Sequence, residues 1–307
     1  MLFNCQSLLV GISLISQALS APLLESRATS AASAFPDLQR AAQLSSAAYS
    51  GCLGKAFDIT ITKRIYDLLT DTNGFIGYST EKKKISVVMK GSTTIADILN
   101  DIDTTLVTPS LSGVTFPSNA KIMQGINKPW SAVHDTVIEE VRSLIAKYPD
   151  YTLEATGHSL GGSLTYIAHV ALAQNFPGKA LTSNALAAFP IGNEAWATFA
   201  SSQAGTLNRG NNIADGVPNM YVSALFNFKH YGTVSYPINT LLYTNFHSLI
   251  DHGHAQEYYS SGLKATCVKC EGQRDLACSA GNGMYSVTIG HFSSFGITML
   301  TAGCGLL

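Results

Sequence analysis

Gly157-His158-Ser159-Leu160-Gly161, with a second glycine at Gly162, restricts the fold open to this chain more than any other stretch. It has the G-x-S-x-G pattern of a nucleophile elbow, a strained strand-to-helix turn that pushes a serine hydroxyl outward. A Cβ two residues before or after the serine would crowd the backbone of such a turn, so small residues are required there. In a chain with 26 glycines the pattern alone says little, and its flanks make it specific. Upstream, Tyr151-Thr152-Leu153-Glu154-Ala155-Thr156 alternates large and small residues after a Pro149-Asp150 break, which predicts a short buried strand. Downstream, Leu164, Ile167, Val170 and Ala171 recur at helical spacing until Pro177-Gly178, which predicts a helix over 160–176.

The 307 residues are 46% hydrophobic and 13% charged, enough to bury one large core, and no repeat or interior linker divides them. A net charge of −1 with 19 scattered basic residues leaves no electrostatic footprint for nucleic acid. The short run Lys82-Lys83-Lys84 is expected to be a solvated turn between strands. Residues 1–20 carry an apolar run, Leu8 to Ile15, and end with Ala18 and Ser20 before Ala21, the pattern of a cleaved signal peptide. That run is too short to span a membrane, and no later stretch is long enough. The expected product is soluble and secreted, with residues 21–34 a loose tail or pro-segment and 35–307 a single domain.

Removing the leader discards Cys5 and leaves Cys52, Cys267, Cys270, Cys278 and Cys304, an odd number in a compartment that favours disulfides. Cys52 and Cys304 can staple the two ends of the domain, and Cys270 and Cys278 would then close a small loop. Cys267-Val268-Lys269-Cys270 also has the spacing of half a zinc site, but no second C-x-x-C or pair of histidines completes it, so no metal is expected.

A serine hydroxyl is a weak nucleophile, so Ser159 needs a histidine base held by a carboxylate; in strand–elbow–helix enzymes both follow the serine in the chain. Asp215, in Asn211-Asn212-Ile213-Ala214-Asp215-Gly216-Val217-Pro218, follows an apolar step and precedes a turn, where a strand-end loop can present it. The plain alternative is an Asx-turn residue beside glycine. Five histidines follow it: His230, His247, His252, His254 and His291. His291 is the candidate base, because Gly290 opens a turn and Phe292 and Phe295 can wall the imidazole from water. His158 is expected to support the elbow.

Acyl transfer also needs two fixed donors for the oxyanion. One candidate is the backbone N–H of Leu160; the other is Ser92, in the polar turn Lys90-Gly91-Ser92-Thr93-Thr94 after a strand predicted over 85–89. Ile95, Ile98, Leu99 and Ile102 then fall at offsets 0, 3, 4 and 7, one apolar stripe on a short acidic helix capped by Thr93 or Thr94. That helix is either an ordinary surface helix or, given its position, a lid over residues 93–104.

On these motifs the chain resembles the secreted fungal class 3 lipases and their relatives the fungal feruloyl esterases over most of residues 40–305. The shared elements are Lys90-Gly91-Ser92, the Gly157–Gly162 elbow, Asp215-Gly216-Val217-Pro218 and His291-Phe292-Ser293-Ser294-Phe295-Gly296. The resemblance implies an α/β-hydrolase fold, a central mostly parallel sheet flanked by helices. It implies Ser159, Asp215 and His291 as the catalytic triad, Ser92 and Leu160 as oxyanion donors, and a Cys52–Cys304 bridge. Three departures stand out. Met123 lies where the family has a histidine, Ala188-Phe189-Pro190-Ile191-Gly192-Asn193 lacks the family's arginine, and residues 233–253 interrupt an element that starts at His230-Tyr231-Gly232 and resumes at Glu257-Tyr258-Tyr259. That interruption is either a lineage-specific loop near the acyl groove or the translation of a retained intron.

The expected activity is hydrolysis of acylglycerols by a cofactor-free monomer that touches a lipid–water interface transiently. A feruloyl-type or other soluble-ester esterase is the alternative, and a catalytically silent lipid-binding homologue a more distant one.

Overall fold

The computed structural model describes residues 33–93, 102–223, 226–231, 255–260, 267–270, 274–283 and 287–305. The signal segment 1–20, all but the last two residues of the tail 21–34, the insertion 233–253 and the stripe residues Ile95, Ile98 and Leu99 lie outside these residues.

Helix α1 (Phe35–Ser50) starts with Pro36 in its first turn and stops at Gly51, whose φ of 66° only a residue without Cβ adopts easily. Four strands follow: β1 (Lys55–Ala56), β2 (Ile59–Asp67), β3 (Thr72–Ser79) and β4 (Lys84–Met89). The short pair β5 (Leu106–Val107) and β6 (Ile122–Met123) leads into the long helix α2 (Gln124–Lys147). Next come β7 (Thr152–His158), α3 (Leu160–Asn175), β8 (Leu181–Leu186), α4 (Glu194–Ser201) and β9 (Thr206–Asn212). The C-terminal part holds β10 (Ala255–Ser260), β11 (Cys267–Lys269) and the hairpin β12 (Ser293–Ser294) and β13 (Ile297–Thr298).

Nine strands form one sheet in the order β1-β2-β3-β4-β7-β8-β9-β10-β11. Its centre, β4-β7-β8-β9-β10, is parallel, and antiparallel strands extend it at both edges. A parallel centre must be covered on both faces, and the side-chain alternation of its strands supplies two apolar surfaces. On β4, Ile85, Val87 and Met89 join the core under α2 and α3, while Val88 faces the opposite way into a cluster with Leu44 and Ala47 of α1. The helix-rich side is the larger, with Trp130, Trp196, Tyr166 and Ile122 fully buried in it. Met123 packs there as well.

The face toward α1 carries a buried polar lattice. The Arg40 guanidinium binds Glu154 on β7 at 2.7 Å and Asp58 at 2.8 Å, and Ser86 donates to the same Glu154 carboxylate. Lys84 also reaches Glu154, at 3.4 Å, so the lysine run is not wholly a solvated turn: Lys82 and Lys83 are exposed, and Lys84 belongs to β4. Its amine finds a buried carboxylate, which an exposed turn would not offer.

Cys52 and Cys304 are bridged, tying the end of α1 to the C-terminal segment across 252 residues, and Cys270 is bridged to Cys278. Cys267 is a buried thiol outside both disulfides, packed with Phe35, Leu38 and Phe295; burial pushes it up to about 11, which keeps it protonated and inert.

Candidate active site

β4, β7, β8 and β9 all end at one edge of the sheet, where open α/β sheets hold their ligands. β7 runs to His158 and α3 starts at Leu160, leaving Ser159 alone in the turn with φ 60° and ψ −126°. Such a conformation costs a non-glycine residue of order 1–3 kcal/mol and persists only where its surroundings impose it. Here the Ser159 N–H donates to the Leu186 carbonyl at 2.9 Å, and its own carbonyl accepts from Ser163 in the first turn of α3. The crowding is severe: a Cβ on Gly161 would lie 2.3 Å from the Met89 carbonyl oxygen, and one on Gly91 would lie 2.4 Å from that of His158.

Asp215 follows β9 and His291 sits in a single 3-10 turn, Ile289–Phe292; both side chains are fully buried. The His291 Nδ1–H donates to both Asp215 oxygens, at 3.0 and 3.1 Å. Asp215 Oδ1 also accepts from the Val217 N–H at 3.0 Å. With Nδ1 occupied, Nε2 is the nitrogen left to act as a base, and it is buried without a hydrogen-bond partner.

Both loops are held from several sides. Asn282 Nδ2 donates to the main-chain carbonyls of Asp215 at 2.8 Å and Asn212 at 3.1 Å. The 3-10 turn carrying it, Ser279–Asn282, is anchored by Glu257, which accepts from the Ser279 hydroxyl at 2.5 Å and pairs with buried Arg209 at 2.9 Å. On the His291 side, Asn212 Nδ2 donates to the Gly290 carbonyl and the Thr288 hydroxyl to that of Ala214.

His158 does more than support the elbow. Its Nε2–H donates to the His291 main-chain carbonyl at 2.8 Å, and the Tyr49 hydroxyl of α1 donates to its Nδ1 at 3.0 Å. Burial, followed by the nearby His291, pushes His158 well below the ordinary imidazole range, so it stays neutral and keeps this tautomer. The elbow thus grips the His291 loop through a ring whose two nitrogens are both used. The motif reveals His158, but Tyr49 and Asn282 carry no local sequence signal.

Ser92 and Leu160 line one cavity of 320 Å³ with Asn73, Lys90, Ile102 and Leu164. Ile102 is the described member of the apolar stripe, and it packs against the helix-side core. Of the other histidines, His230 is buried, its Nε2 bonded to the Pro218 carbonyl at 2.6 Å, so it is a packing residue; His247, His252 and His254 lie outside the described residues. Cys270 is consumed by its disulfide, so the C-x-x-C cannot serve as a thiolate pair for zinc.

A buried carboxylate–imidazole pair, tied through His158 to the turn that holds a strained serine, is the equipment of nucleophilic acyl transfer. The model of the family described as lipase (class 3) matches residues 86–224. The chain is 71% identical to a secreted alkaline triacylglycerol lipase of Penicillium cyclopium over 307 residues, all of both chains. It is 29% identical to a lipase of Rhizomucor miehei over 180 residues, 57% of this chain and 47% of that one. A crystal structure of a triacylglycerol lipase from Penicillium expansum matches with a TM-score of 0.81 and 69% identity, over 90% of this chain and 98% of that one. The Rhizomucor miehei lipase in its propeptide complex matches with a TM-score of 0.70 at 23% identity, over 87% and 82% of the two chains, a likeness of fold alone.

Proposed function

Because the chain belongs to the class 3 lipases and has their α/β-hydrolase fold, we propose that it is a secreted serine ester hydrolase that cleaves acylglycerols through an acyl-enzyme. The observation that carries this reading is the buried Asp215–His291 pair, its Nε2 without a partner, on a loop that His158 of the elbow holds by a 2.8 Å hydrogen bond. Ser159 attacks the ester carbonyl while His291 Nε2 takes its proton; the imidazolium then gives that proton to the leaving glycerol oxygen. Asp215 holds the Nδ1–H tautomer and stabilises the charged ring. Water, activated by the same nitrogen, releases the fatty acid. The N–H of Leu160 and the N–H and hydroxyl of Ser92 receive the oxyanion, a contribution of several kcal/mol to the barrier.

Residues 93–104 act as the lid, turning Ile95, Ile98, Leu99 and Ile102 between the site and the lipid phase. The same reading has the chain exported through a leader cleaved after Ser20 and working as a monomer without a cofactor.

The test is hydrolysis by purified protein of a triacylglycerol series, a diacylglycerol and methyl ferulate, each below and above its solubility limit. A rate jump on glycerides at that limit, lost by roughly 10³-fold or more in Ser159→Ala, is expected. Turnover of methyl ferulate alone would move the chain to the esterases of soluble aromatic esters. Failure of Ser159 to label with a serine-reactive phosphonate would leave only a lipid-binding role.

A further inference from the structure

The turn between β2 and β3 exposes apolar side chains that the fold does not need. Leu68 is 77% exposed, Leu69 96% and Tyr66 60%, three large side chains within four residues. Solvent-facing hairpin turns are ordinarily polar, and a cluster of this kind marks a contact surface. The turn is also built to hold them out. Asp67 Oδ1 accepts from the Thr70 N–H at 2.9 Å and from the Thr70 hydroxyl at 2.6 Å, spanning the two leucines. The Thr72 hydroxyl reaches the Pro129 carbonyl of α2 at 3.3 Å, and the Lys90 N–H donates to the Asn73 carbonyl at 2.8 Å.

Position identifies the occupant. β3 is antiparallel to β4, with Gly74 opposite Met89, so this tip stands on the sheet edge where β7 delivers Ser159. Thr70 to Asn73 form part of the wall of the cavity shared by Ser92 and Leu160. On the other flank of the same edge, next to Asp215 and His291, Ile289 is 91% exposed and Ile213 48%. Apolar side chains therefore bracket the site on both sides. Within the tip the only charges are Asp67 and Asp71, and no cation accompanies them to draw it to an anionic surface.

We propose that the 66–71 turn is a preformed wedge that seats the enzyme on an uncharged ester-lipid surface, with Ile213 and Ile289 as the opposite contact. This rests on the lipase reading above and extends it to a docking element outside the lid. The wedge enters the lipid while the sheet edge faces it, so the cavity opens directly onto substrate.

Two measurements test it. In Leu68→Ser/Leu69→Ser, kcat/KM on a short-chain nitrophenyl ester below its solubility limit should change less than twofold. Binding to trioctanoylglycerol droplets, and their hydrolysis, should fall about tenfold or more. In a Ser159→Ala background, Leu69→Trp should shift its emission to the blue on droplets; Trp130 and Trp196, the chain's two tryptophans, are fully buried and supply a constant background. Unchanged droplet binding, an equal loss on the soluble ester, or no spectral shift would each overturn the wedge. So would tighter seating of the wild type on phosphatidylglycerol vesicles than on droplets, or a dimer in the ultracentrifuge that the double substitution dissociates. A wild type that cleaves the soluble ester but never the droplets would instead overturn the lipase reading itself.

Discussion

Asn282 spends both of its amide protons on carbonyls that flank the acid, those of Asn212 and Asp215. It hydrogen-bonds neither Asp215's carboxylate nor His291, so under the proposed triad it is a positioning residue that acts through the loop. Near-attack geometry is steep in distance, and a misplacement of about 1 Å costs up to a hundredfold in rate. Asn282→Ala should therefore lower kcat on a soluble ester about tenfold or more with KM little changed, and Asn282→Asp, which keeps the shape but loses the donors, should not rescue it. A loss confined to KM would remove Asn282 from this role. The same economy governs Ser159: its strained φ is maintained because Leu186, Ser163 and the glycines around it leave no relaxed alternative.

Among the elements, α1 contributes more than a cover for the sheet. Its Tyr49 fixes the His158 tautomer, and its Arg40 is the main cation facing buried Glu154. Removing one partner of a buried pair leaves an uncompensated charge, a loss of about 3 kcal/mol or more. Arg40→Leu should lower the unfolding free energy by that order in urea titration, with Lys84 able to offset only part of it at 3.4 Å. The Lys83–Asp150 pair, with both side chains exposed, has the same bond length class at 3.0 Å, yet Lys83→Ala should leave the urea midpoint unmoved. Equal effects of the two substitutions would contradict the assignment of Glu154 as the buried charge that matters.

The whole molecule is closed by the Cys52–Cys304 bridge, which removes loop entropy from the unfolded chain over a separation of 252 residues. That is worth at most about 5 kcal/mol, so Cys52→Ser/Cys304→Ser should lower Tm clearly while the Asp215–His291 geometry, built by β9 and the 288–291 turn, keeps the folded enzyme active at low temperature. The pH response follows from two buried histidines. His158 and His230 are both held well below 6.5 by burial, so each stays neutral in the fold and takes a proton on unfolding. Below pH 6.5 the unfolded chain then binds up to two protons more than the folded one, and stability must fall with falling pH. Urea titrations should give a plateau between about pH 7.5 and 8.5 and, below 6.5, a slope approaching about 2.7 kcal/mol per pH unit. His230→Gln should reduce that slope toward half; a slope unaffected by the change would mean that other groups carry it.

Local chemistry made much of this readable in the sequence. The elbow, the β7 strand and the α3 helix follow from glycine placement and side-chain period, because sterics and alternation act over a few residues. Asp215 and His291 could be named because each sits in a short turn with its own signature. What lay beyond the sequence is everything set by contacts far apart along the chain. Tyr49 reaches His158 across 109 residues, Asn282 reaches Asp215 across 67, and Lys84 leaves a lysine run to meet Glu154. The exposure of Leu68 and Leu69 beside the Ser92 cavity belongs there too, since a sequence reads two leucines as core until the register of β3 against β4 places their turn at the open edge of the sheet. A residue's own propensity is local, whereas its partner is chosen by how the sheet orders its strands, and only the tertiary structure decides that.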